Sequence, residues 1–599
     1  MDSQKKENLL NLALDTPQAE REKSLELDVG YDSRERTWEV IVKFHDSLRP
    51  LTARGILVEE LIAGYAILTV PESEMDYLTQ VEQIEYVEKP KRLFFSDLAG
   101  RSASCLAPGS PIASELRGKG VLIAVIDSGI SYFNEDFRNP DGTTRIRYLW
   151  DQTLNREYSA EDIDRALATG SREGALAVVP SIDVTGHGTA VAGIAAGNGG
   201  TGGALYAGVA PESELLIVKL GTPRAESFPR TTELMRALTY VVYRAMELRR
   251  PVAINLSFGN TYGNHDGTSL LERFVDNVSE IGQNVICVGS GNEAASGGHV
   301  GGKITSPGRG NLTLTEPVIT NDGSVSQNMT QVELVVGAYE NSVNVQLWKE
   351  YVDRYRVTLR APSGESFTVD SDRTGKQTYR LDGTTILLYN GEPAPYLTAQ
   401  EIYFDFLPEE GGRYIDSGIW TFELEPVELV TGNYTFYLPS ESVRNTATRF
   451  VQSTPDVTLT IPSTASKVIT VGAYDPVYES YADFSGRGYL YQDQVNSRTV
   501  DSFVKPDLVA PGVDVIAPDR DGGYTAVTGT SFATPYVTGA AALLMEWGIV
   551  QGNDPYLYGE KVKAYLRKGA QPIRGEQAYP NPRNGYGKLC VQASLPGKR

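Results

Sequence analysis

The sequence predicts a parallel α/β fold that is interrupted by an all-β segment and preceded by a small α+β unit. Apolar runs such as VLIAVIDSGI (121–130) alternate with helix-like runs up to about 300, as in βαβ units. From about 310 to 455 the helical pattern stops, and short runs rich in Tyr, Val and Thr follow one another. After 461 the alternating pattern resumes. One α/β domain with an inserted β-sandwich or jelly roll accounts for this order.

Length and composition are those of a globular chain of two to four domains. The chain has 599 residues, of which 41% are hydrophobic and 22% charged. Its net charge of −21 disfavours contact with the phosphates of nucleic acids. No apolar run approaches the roughly 20 residues that a membrane-spanning helix requires. We therefore expect neither a nucleic-acid nor a membrane partner.

The cysteine spacing indicates whether a metal or cofactor site is present, and the N-terminal residues indicate whether the chain carries a secretory signal. The three cysteines have no metal-ligand spacing, so we expect no cofactor and assign no metal site. The first residues, MDSQKKENLL, lack the basic start and apolar stretch of a secretory signal. The sequence therefore predicts a protein that is made without signal-dependent export.

Residues 37–95 read as a small α+β unit. TWEVIVKF (37–44) alternates like a strand, and LTARGILVEELIAGYAILTVP (51–71) gives two apolar runs separated by glycine. ESEMDYLTQVEQ (72–83) is helix-like, and IEYVEK (84–89) is again a strand. A unit of roughly 60 residues is marginally stable alone, so we expect it to pack against the rest of the chain.

Three side chains with the chemistry of nucleophilic catalysis lie at element ends. Ser531, in GTSFATPYVTGAAAL, precedes an apolar run and is either a helix cap or a nucleophile. His187 is flanked by glycines in DVTGHGTAVAG, at the start of a helix of small residues. Asp127 ends the buried strand AVID, a common place for functional groups in α/β sheets. Alone, each of them is more often a turn, cap or packing residue.

Together these segments resemble a known family. AVIDSGI, GHGTAVAGI and GTSFATPYVTGAAAL are similar to the three catalytic blocks of the subtilisin-like serine proteases, in the family's order of Asp, His and Ser. VICVGSGNE resembles the segment that carries the family's oxyanion asparagine, here Asn292. The resemblance covers about 100–300 and 456–595. It implies a subtilisin-like parallel sheet flanked by helices.

The resemblance also implies a role for each site residue. Ser531 would attack a peptide carbonyl, His187 would carry the proton, and Asp127 would orient the imidazole. Asn292 and the Ser531 N–H would stabilise the oxyanion. The segment Ser257-Phe258-Gly259 would pair with the substrate backbone. The pocket for the residue before the scissile bond would be lined by four residues: Gly259, Gly289, Ser290 and Gly291.

The N-terminal unit resembles the propeptide of this family. Such propeptides assist folding and are cut by the enzyme's own serine, and the spacing from YVE places the cut near Ser96–Asp97. The alternative is an unrelated N-terminal domain. We predict a propeptide, a first catalytic part, an inserted jelly roll and a second catalytic part, at 1–96, 97–305, 306–456 and 457–599.

The jelly roll between the oxyanion and serine blocks resembles the Csp germination proteases of spore-forming anaerobes. That resemblance implies an autoprocessing endopeptidase that activates a protein substrate by limited proteolysis, such as a spore cortex-lytic proenzyme. It also implies a cytoplasmic or spore-associated location, with the propeptide held in the cleft. Two alternatives stay open. One is a catalytically quiescent scaffold for binding or signalling. The other is a β insert that binds sugars or partners through Trp348 and Trp420.

Overall fold

The computed structural model describes most of the chain, and the predicted cleavage pair Ser96–Asp97 lies outside the described residues. The described ranges are 5–24, 26–92, 94–95, 115–203, 206–222, 229–304, 329–488 and 504–595. Among the helices of these ranges, none combines the length and the apolar character that crossing a bilayer requires.

A nine-stranded, mostly parallel sheet forms the centre of the molecule. Leu122–Asp127 lies in its middle, in parallel register with Glu214–Lys219 on one side and Val252–Leu256 on the other. All six residues of Leu122–Asp127 are buried, as expected for a strand covered on both faces. The prediction of a parallel α/β fold is confirmed. In spatial order the strands of the main path are Ser480–Tyr481, Ile469–Asp475, Asn284–Gly289, Val252–Leu256, Leu122–Asp127, Glu214–Lys219, Ile146–Asp151 and Arg156–Ser159, and Leu508–Pro511 pairs with Ile469–Asp475.

Helices cover both faces of this sheet. His187–Ala196 and Thr530–Met545 are buried along their whole lengths in one core, on one face. Thr231–Glu247 and Leu270–Val278 contribute to the core on the other face. Leu270–Val278 begins with a capping box, in which Ser269 and Glu272 satisfy each other's backbone N–H groups. The further helices of this part are Ala160–Leu167, Arg172–Val178, Glu560–Gly569 and Val591–Ser594, with a π-helical turn at Glu546–Val550.

The β-rich segment forms two antiparallel sheets that share one apolar core. Trp420 is fully buried and Trp348 nearly so, which leaves neither indole face open for stacking on a sugar. His299–Lys303 already pairs with Asn433–Tyr437, so these sheets begin before the predicted boundary at 306. In spatial order one sheet contains His299–Lys303, Asn433–Tyr437, Val343–Glu350, Ala399–Pro408, Thr384–Asn390 and Gly375–Leu381, and the other Ser366–Asp370, Arg354–Arg360, Gly418–Glu428, Thr330–Val336 and Arg449–Phe450.

Residues 5–88 form a five-stranded antiparallel sheet with short helices. The helix predicted for ESEMDYLTQVEQ is wrong: the chain forms two 3₁₀ turns, Glu72–Glu74 and Tyr77–Gln80. Its buried apolar residues, Met75 and Leu78, are three positions apart, which suits the 3₁₀ repeat. The strands are Tyr31–Asp32, Thr37–Phe44, Leu57–Glu60, Tyr65–Pro71 and Ile84–Glu88, and the helices Asn8–Asp15, Gln18–Arg21 and Arg49–Thr52.

This N-terminal unit packs against both other parts of the molecule. Ile41 and Ile67 lie in the same core as the helices Thr231–Glu247 and Leu270–Val278. On the opposite side, leucines of the helix Asn8–Asp15 share a core with Leu387, Tyr389, Tyr403 and Leu407 of the β-rich segment. The expectation that a unit this small needs external support is met at both surfaces.

Candidate active site

Asp127 and His187 form a buried, charge-assisted contact. Asp127 ends its strand and His187 begins its helix, and the distance from Asp127 Oδ1 to His187 Nδ1 is 2.7 Å. The side chains are 0% and 2% exposed. The Ser128 N–H also donates to Asp127 Oδ1, at 2.7 Å. A carboxylate at Nδ1 fixes the imidazole tautomer with its proton on that nitrogen, which leaves Nε2 as the basic atom.

The helix that carries His187 approaches the strand too closely for most side chains. A Cβ built on Gly188 would lie 2.2 Å from the carbonyl oxygen of Gly129. Glycine at this position therefore lets the helix begin directly beside the end of the strand. The second glycine of the predicted motif GHG therefore has a steric cause, because a side chain at position 188 would collide with the backbone of Gly129.

Sequence reasoning missed Asp183, which organises the start of this helix. Its carboxylate is 3% exposed and accepts hydrogen bonds from Ser128 Oγ at 2.8 Å and from Gly186 N at 2.9 Å. Thr189 donates to it twice, from its backbone N–H and its hydroxyl. The available signal was an aspartate four residues before His187, in front of a helix N-terminus, where a carboxylate is favourable.

Ser531 lies at the start of the neighbouring buried helix, as predicted. Its Oγ donates to the carbonyl oxygen of Ser257 at 2.9 Å, and Ser257 Oγ donates to the Ser531 carbonyl at 2.9 Å. The next residue, Phe532, places its ring centroid 5.1 Å from that of His187. The fold therefore brings the segments of Asp127, His187 and Ser531 together, although they are far apart in sequence.

Asn292 is held by its side-chain oxygen. Thr530 donates to Asn292 Oδ1 from its backbone N–H at 3.1 Å and from its hydroxyl at 3.0 Å. With the oxygen fixed by two donors, the amide NH₂ is the part of Asn292 that can serve a ligand. Asn292 and Ser531 line the same cavity. This arrangement can donate a hydrogen bond to an oxyanion formed beside Ser531.

That cavity, of about 290 Å³, includes most of the predicted pocket residues. Ser290 is an exception: it is fully buried, and its backbone bonds Val471 and Thr460 instead of facing the cavity. A Cβ at Gly259 would lie 2.6 Å from Thr460 Oγ1, so this edge of the wall requires glycine. The lining residues that sequence reasoning did not assign to the pocket are Glu293, Ser440, Glu441, Ser442, Thr460 and Thr530.

A strand of the N-terminal unit occupies the predicted substrate-binding edge. Phe94–Phe95 pairs antiparallel with Phe258–Gly259, with Phe95 opposite Phe258 and Phe94 opposite Gly259. The residues Asp127, His187 and Ser531 beside this edge can support acid–base and nucleophilic chemistry at an extended peptide.

In the described ranges no group of three or more His, Cys, Asp or Glu is placed to hold a metal ion.

Comparison with known families agrees with this geometry. Residues 118–386 and 431–587 match the family model described as the subtilase family. The chain belongs to the subtilases, the subtilisin-like serine endopeptidases. Residues 4–91 match the model described as the Csp protease B prodomain, so the N-terminal unit of this subtilase is called the prodomain below. The predicted resemblances to the subtilases and to the Csp proteases are confirmed.

Individual relatives show how similar this subtilase is to other proteases in sequence and structure. The structure of the CspB protease of Clostridium perfringens is similar with a TM-score of 0.72 and 32% identity, covering 82% of this chain and 95% of that one. The minor extracellular protease Vpr of Bacillus subtilis is 25% identical over 496 residues, which are 80% of this chain. The serine protease AprX of the same organism is 33% identical over 161 residues, or 24% of this chain. This subtilase spans about half (52%) of the length of Vpr.

Proposed function

We propose that this subtilase hydrolyses peptide bonds with Asp127, His187 and Ser531 as its catalytic triad. The observation that carries this proposal is the buried 2.7 Å contact between Asp127 and His187, beside the helix start that bears Ser531. A buried carboxylate–imidazole pair next to a serine in a cleft is the arrangement that activates a hydroxyl as a nucleophile.

The mechanism follows from the donors and acceptors present. Rotation of the Ser531 side chain away from the Ser257 carbonyl directs its proton to His187 Nε2 as Oγ attacks the peptide carbonyl. Asp127 stabilises the imidazolium that forms. The Asn292 amide and the Ser531 N–H donate to the oxyanion. His187 then protonates the leaving amine, and water repeats the sequence to release the acyl group.

We further propose that the first substrate is the chain itself. The register sets Phe95, the residue before the proposed cleavage pair, opposite Phe258, and the carbonyl of the neighbouring Ser257 accepts a hydrogen bond from Ser531 Oγ. This supports self-cleavage at Ser96–Asp97, with the prodomain remaining in the cleft as a partner.

For the whole protein we propose limited proteolysis of a protein substrate, such as a spore cortex-lytic proenzyme, at a cytoplasmic or spore-associated location. The similarity to the CspB protease supports this assignment. We also propose the four-part division with boundaries at 96 and 456 and with the insert beginning at the strand His299–Lys303 instead of at 306, and jelly-roll connectivity for the two antiparallel sheets. Two antiparallel sheets around one core are what such an insert requires.

Intact masses of purified wild type and Ser531→Ala test the proposal, with Ser363→Ala as a control at an exposed serine. Two fragments split at Ser96–Asp97 in wild type and control, with an unbroken Ser531→Ala chain, are the expected result. Cleavage of the Ser531→Ala chain as well would assign the cut to another protease. A wild-type chain that stays whole would contradict the catalytic proposal.

One observation favours a second candidate function. The prodomain strand Phe94–Phe95 occupies the edge strand that a substrate would use. A chain whose cleft is permanently occupied can act as a binding or signalling scaffold. The same mass measurement separates the two, because a quiescent scaffold leaves the wild type unprocessed.

A further inference from the structure

A loop of the β-rich segment forms part of the wall of the cavity beside Ser531. It follows the strand Asn433–Tyr437, and Ser440, Glu441 and Ser442 line the cavity together with Gly259, Gly289 and Asn292. The α/β part therefore does not build this pocket alone. A side chain that enters the pocket meets residues from both parts of the chain.

The loop is fixed to the α/β part by hydrogen bonds. Ser440 Oγ donates to the Glu293 carboxylate at 2.5 Å, and Thr261 Oγ1 donates to the Leu438 carbonyl at 2.8 Å. Arg444 is buried, and it donates to the carbonyls of Ser296 and Pro439 at 2.8 Å and 3.0 Å, and to that of Thr448. A wall held in this way is pre-organised, so a ligand does not have to order it.

The pocket carries an excess of negative charge. Two carboxylates, Glu293 and Glu441, line it, and among the described residues that line it there is no Lys, Arg or His. Arg444, the nearby cation, lies behind the wall with its donors directed at carbonyl groups. Glu293 is half-buried and accepts from Ser440, whereas Glu441 is exposed and contributes its backbone N–H to Glu293 at 3.4 Å. Glu441 is thus the more exposed of the two acidic residues that line the pocket.

We propose that this loop makes the pocket select a cationic side chain, lysine or arginine, immediately before the scissile bond, with Glu441 as the specificity-determining residue. The inference rests on the proposed function, because it takes the cavity as the site of that side chain. A bound peptide displaces water from the pocket, and this strengthens attraction between an ammonium or guanidinium group and the carboxylates.

Self-cleavage after the small residue Ser96 is compatible with this preference. The prodomain is part of the same chain and is held against Phe258–Gly259, so its scissile bond is presented at a high effective concentration. A separate protein substrate lacks this advantage. The side chain that such a substrate places in the pocket must therefore contribute to its recognition.

Peptides that differ only in the residue before the cut test the inference on the purified full chain. We expect kcat/KM for lysine to exceed that for leucine by about 10-fold, and leucine to exceed glutamate similarly, as for a close interfacial charge pair. Glu441→Gln should reduce the lysine-to-leucine ratio several-fold, and Glu441→Lys should invert the order of lysine and glutamate. Glu428→Gln, at an exposed glutamate on the strand Gly418–Glu428, is the matched control and should leave both ratios unchanged. The lysine preference should also shrink as salt is raised.

The outcomes separate the inference from the proposed function. Cleavage of all peptides at similar rates, or a preference for leucine that Glu441→Gln does not alter, overturns the inference and leaves the endopeptidase intact. A ratio that changes equally in Glu428→Gln also overturns it, because the effect would then be one of net charge. Failure to cleave any peptide, with a wild-type chain that stays whole, overturns both.

Discussion

The Glu39 carboxylate of the prodomain lies 2.6 Å from the Arg236 guanidinium on the helix Thr231–Glu247, and Arg230 lies 2.7 Å from the same carboxylate. Burial would raise the pKa of Glu39, but the two guanidinium groups outweigh it and hold that pKa below its ordinary value. One prodomain charge is thus shared by two cations of the α/β part.

We expect Glu39→Gln to weaken the retention of the cleaved prodomain by about 10-fold, because both guanidinium groups lose the prodomain carboxylate that they share, although each still pairs with Glu233 of its own helix. In the wild type this stabilisation is present above about pH 4, where a free glutamate is ionised, and is lost as pH falls through the lowered pKa. Native mass spectrometry of the processed protein between about pH 7 and pH 3 measures retention across that range. Glu82→Gln, at an exposed prodomain glutamate, should behave as wild type. Equal retention in both variants would contradict a stabilising role for Glu39.

The buried Glu401 gives a pH dependence of opposite sign. Burial is the main cause that raises its pKa to about 8; the charges of Glu7 and Glu88 act in the same direction, while Lys91 and a hydrogen bond with Asn8 oppose the shift. Lys91 Nζ lies 2.8 Å from Glu7 and 2.9 Å from Glu88. The folded chain therefore keeps a proton that the unfolded chain has lost, so stability declines as pH rises from about 4 to about 8.

Glu401→Gln should flatten this decline, removing up to about 1.4 kcal/mol per pH unit from its slope. Tm measured from about pH 5 to pH 9 reports the change, and Glu428→Gln should keep the wild-type profile. A Glu401→Gln profile parallel to that of the wild type would mean that the Glu401 carboxyl does not titrate differently in the two states.

Thr530→Val should lower kcat by about 10-fold and leave KM nearly unchanged, because Asn292 then loses one of the two donors that orient it. Outright loss of such an asparagine costs about 10²–10³ in turnover, a figure measured on subtilisin itself. Thr530→Ser keeps the hydroxyl and should retain kcat within about 2-fold. Steady-state kinetics on one peptide substrate give kcat and KM for both variants and test this expectation. A loss of the same size in both variants would mean that packing of the Thr530 methyl, not its hydroxyl, is what matters.

Asp183→Ala should lower both Tm and kcat, because several buried donors around His187 lose their acceptor, at about 1–3 kcal/mol each. Asp183→Asn keeps one oxygen and should lie between it and wild type. Asp141→Asn, in an exposed turn, is the control. Since Asp183 acts through the position of His187, the pH profile of kcat should also shift. A lowered Tm with an unchanged kcat and pH profile would restrict Asp183 to a structural role.

The sequence was most informative where a side chain that can act in catalysis lies at the end of a strand or the start of a helix. Asp127, His187 and Ser531 each lie in an unbroken motif at the end of a strand or the start of a helix, so local pattern and chain order were sufficient to place them. Asp183 could have been found by the same reasoning, from its distance to the helix start. Residues whose surroundings are set by neighbours in the chain are predictable in this way.

Contacts between segments that are distant in sequence could not be predicted from local patterns. Glu441 lies in an ordinary polar turn, and nothing local indicates that this turn closes a pocket beside Ser531. Ser290 fits the pocket motif, yet the sheet buries it in backbone pairing with Val471. The pattern at 72–83 predicts a helix where the chain forms 3₁₀ turns, because two apolar anchors three positions apart are compatible with either repeat.

The two-sided packing of the prodomain also orders events during synthesis. The leucines of the helix Asn8–Asp15 leave the ribosome long before their partners Leu387, Tyr389 and Leu407. Until those strands have formed, this shared core is covered only by residues of the prodomain and stays open on the side of the β-rich segment. Docking of the helix therefore marks a late stage of folding, and a nascent chain that stops short of the strand Ala399–Pro408 leaves this side open to chaperones.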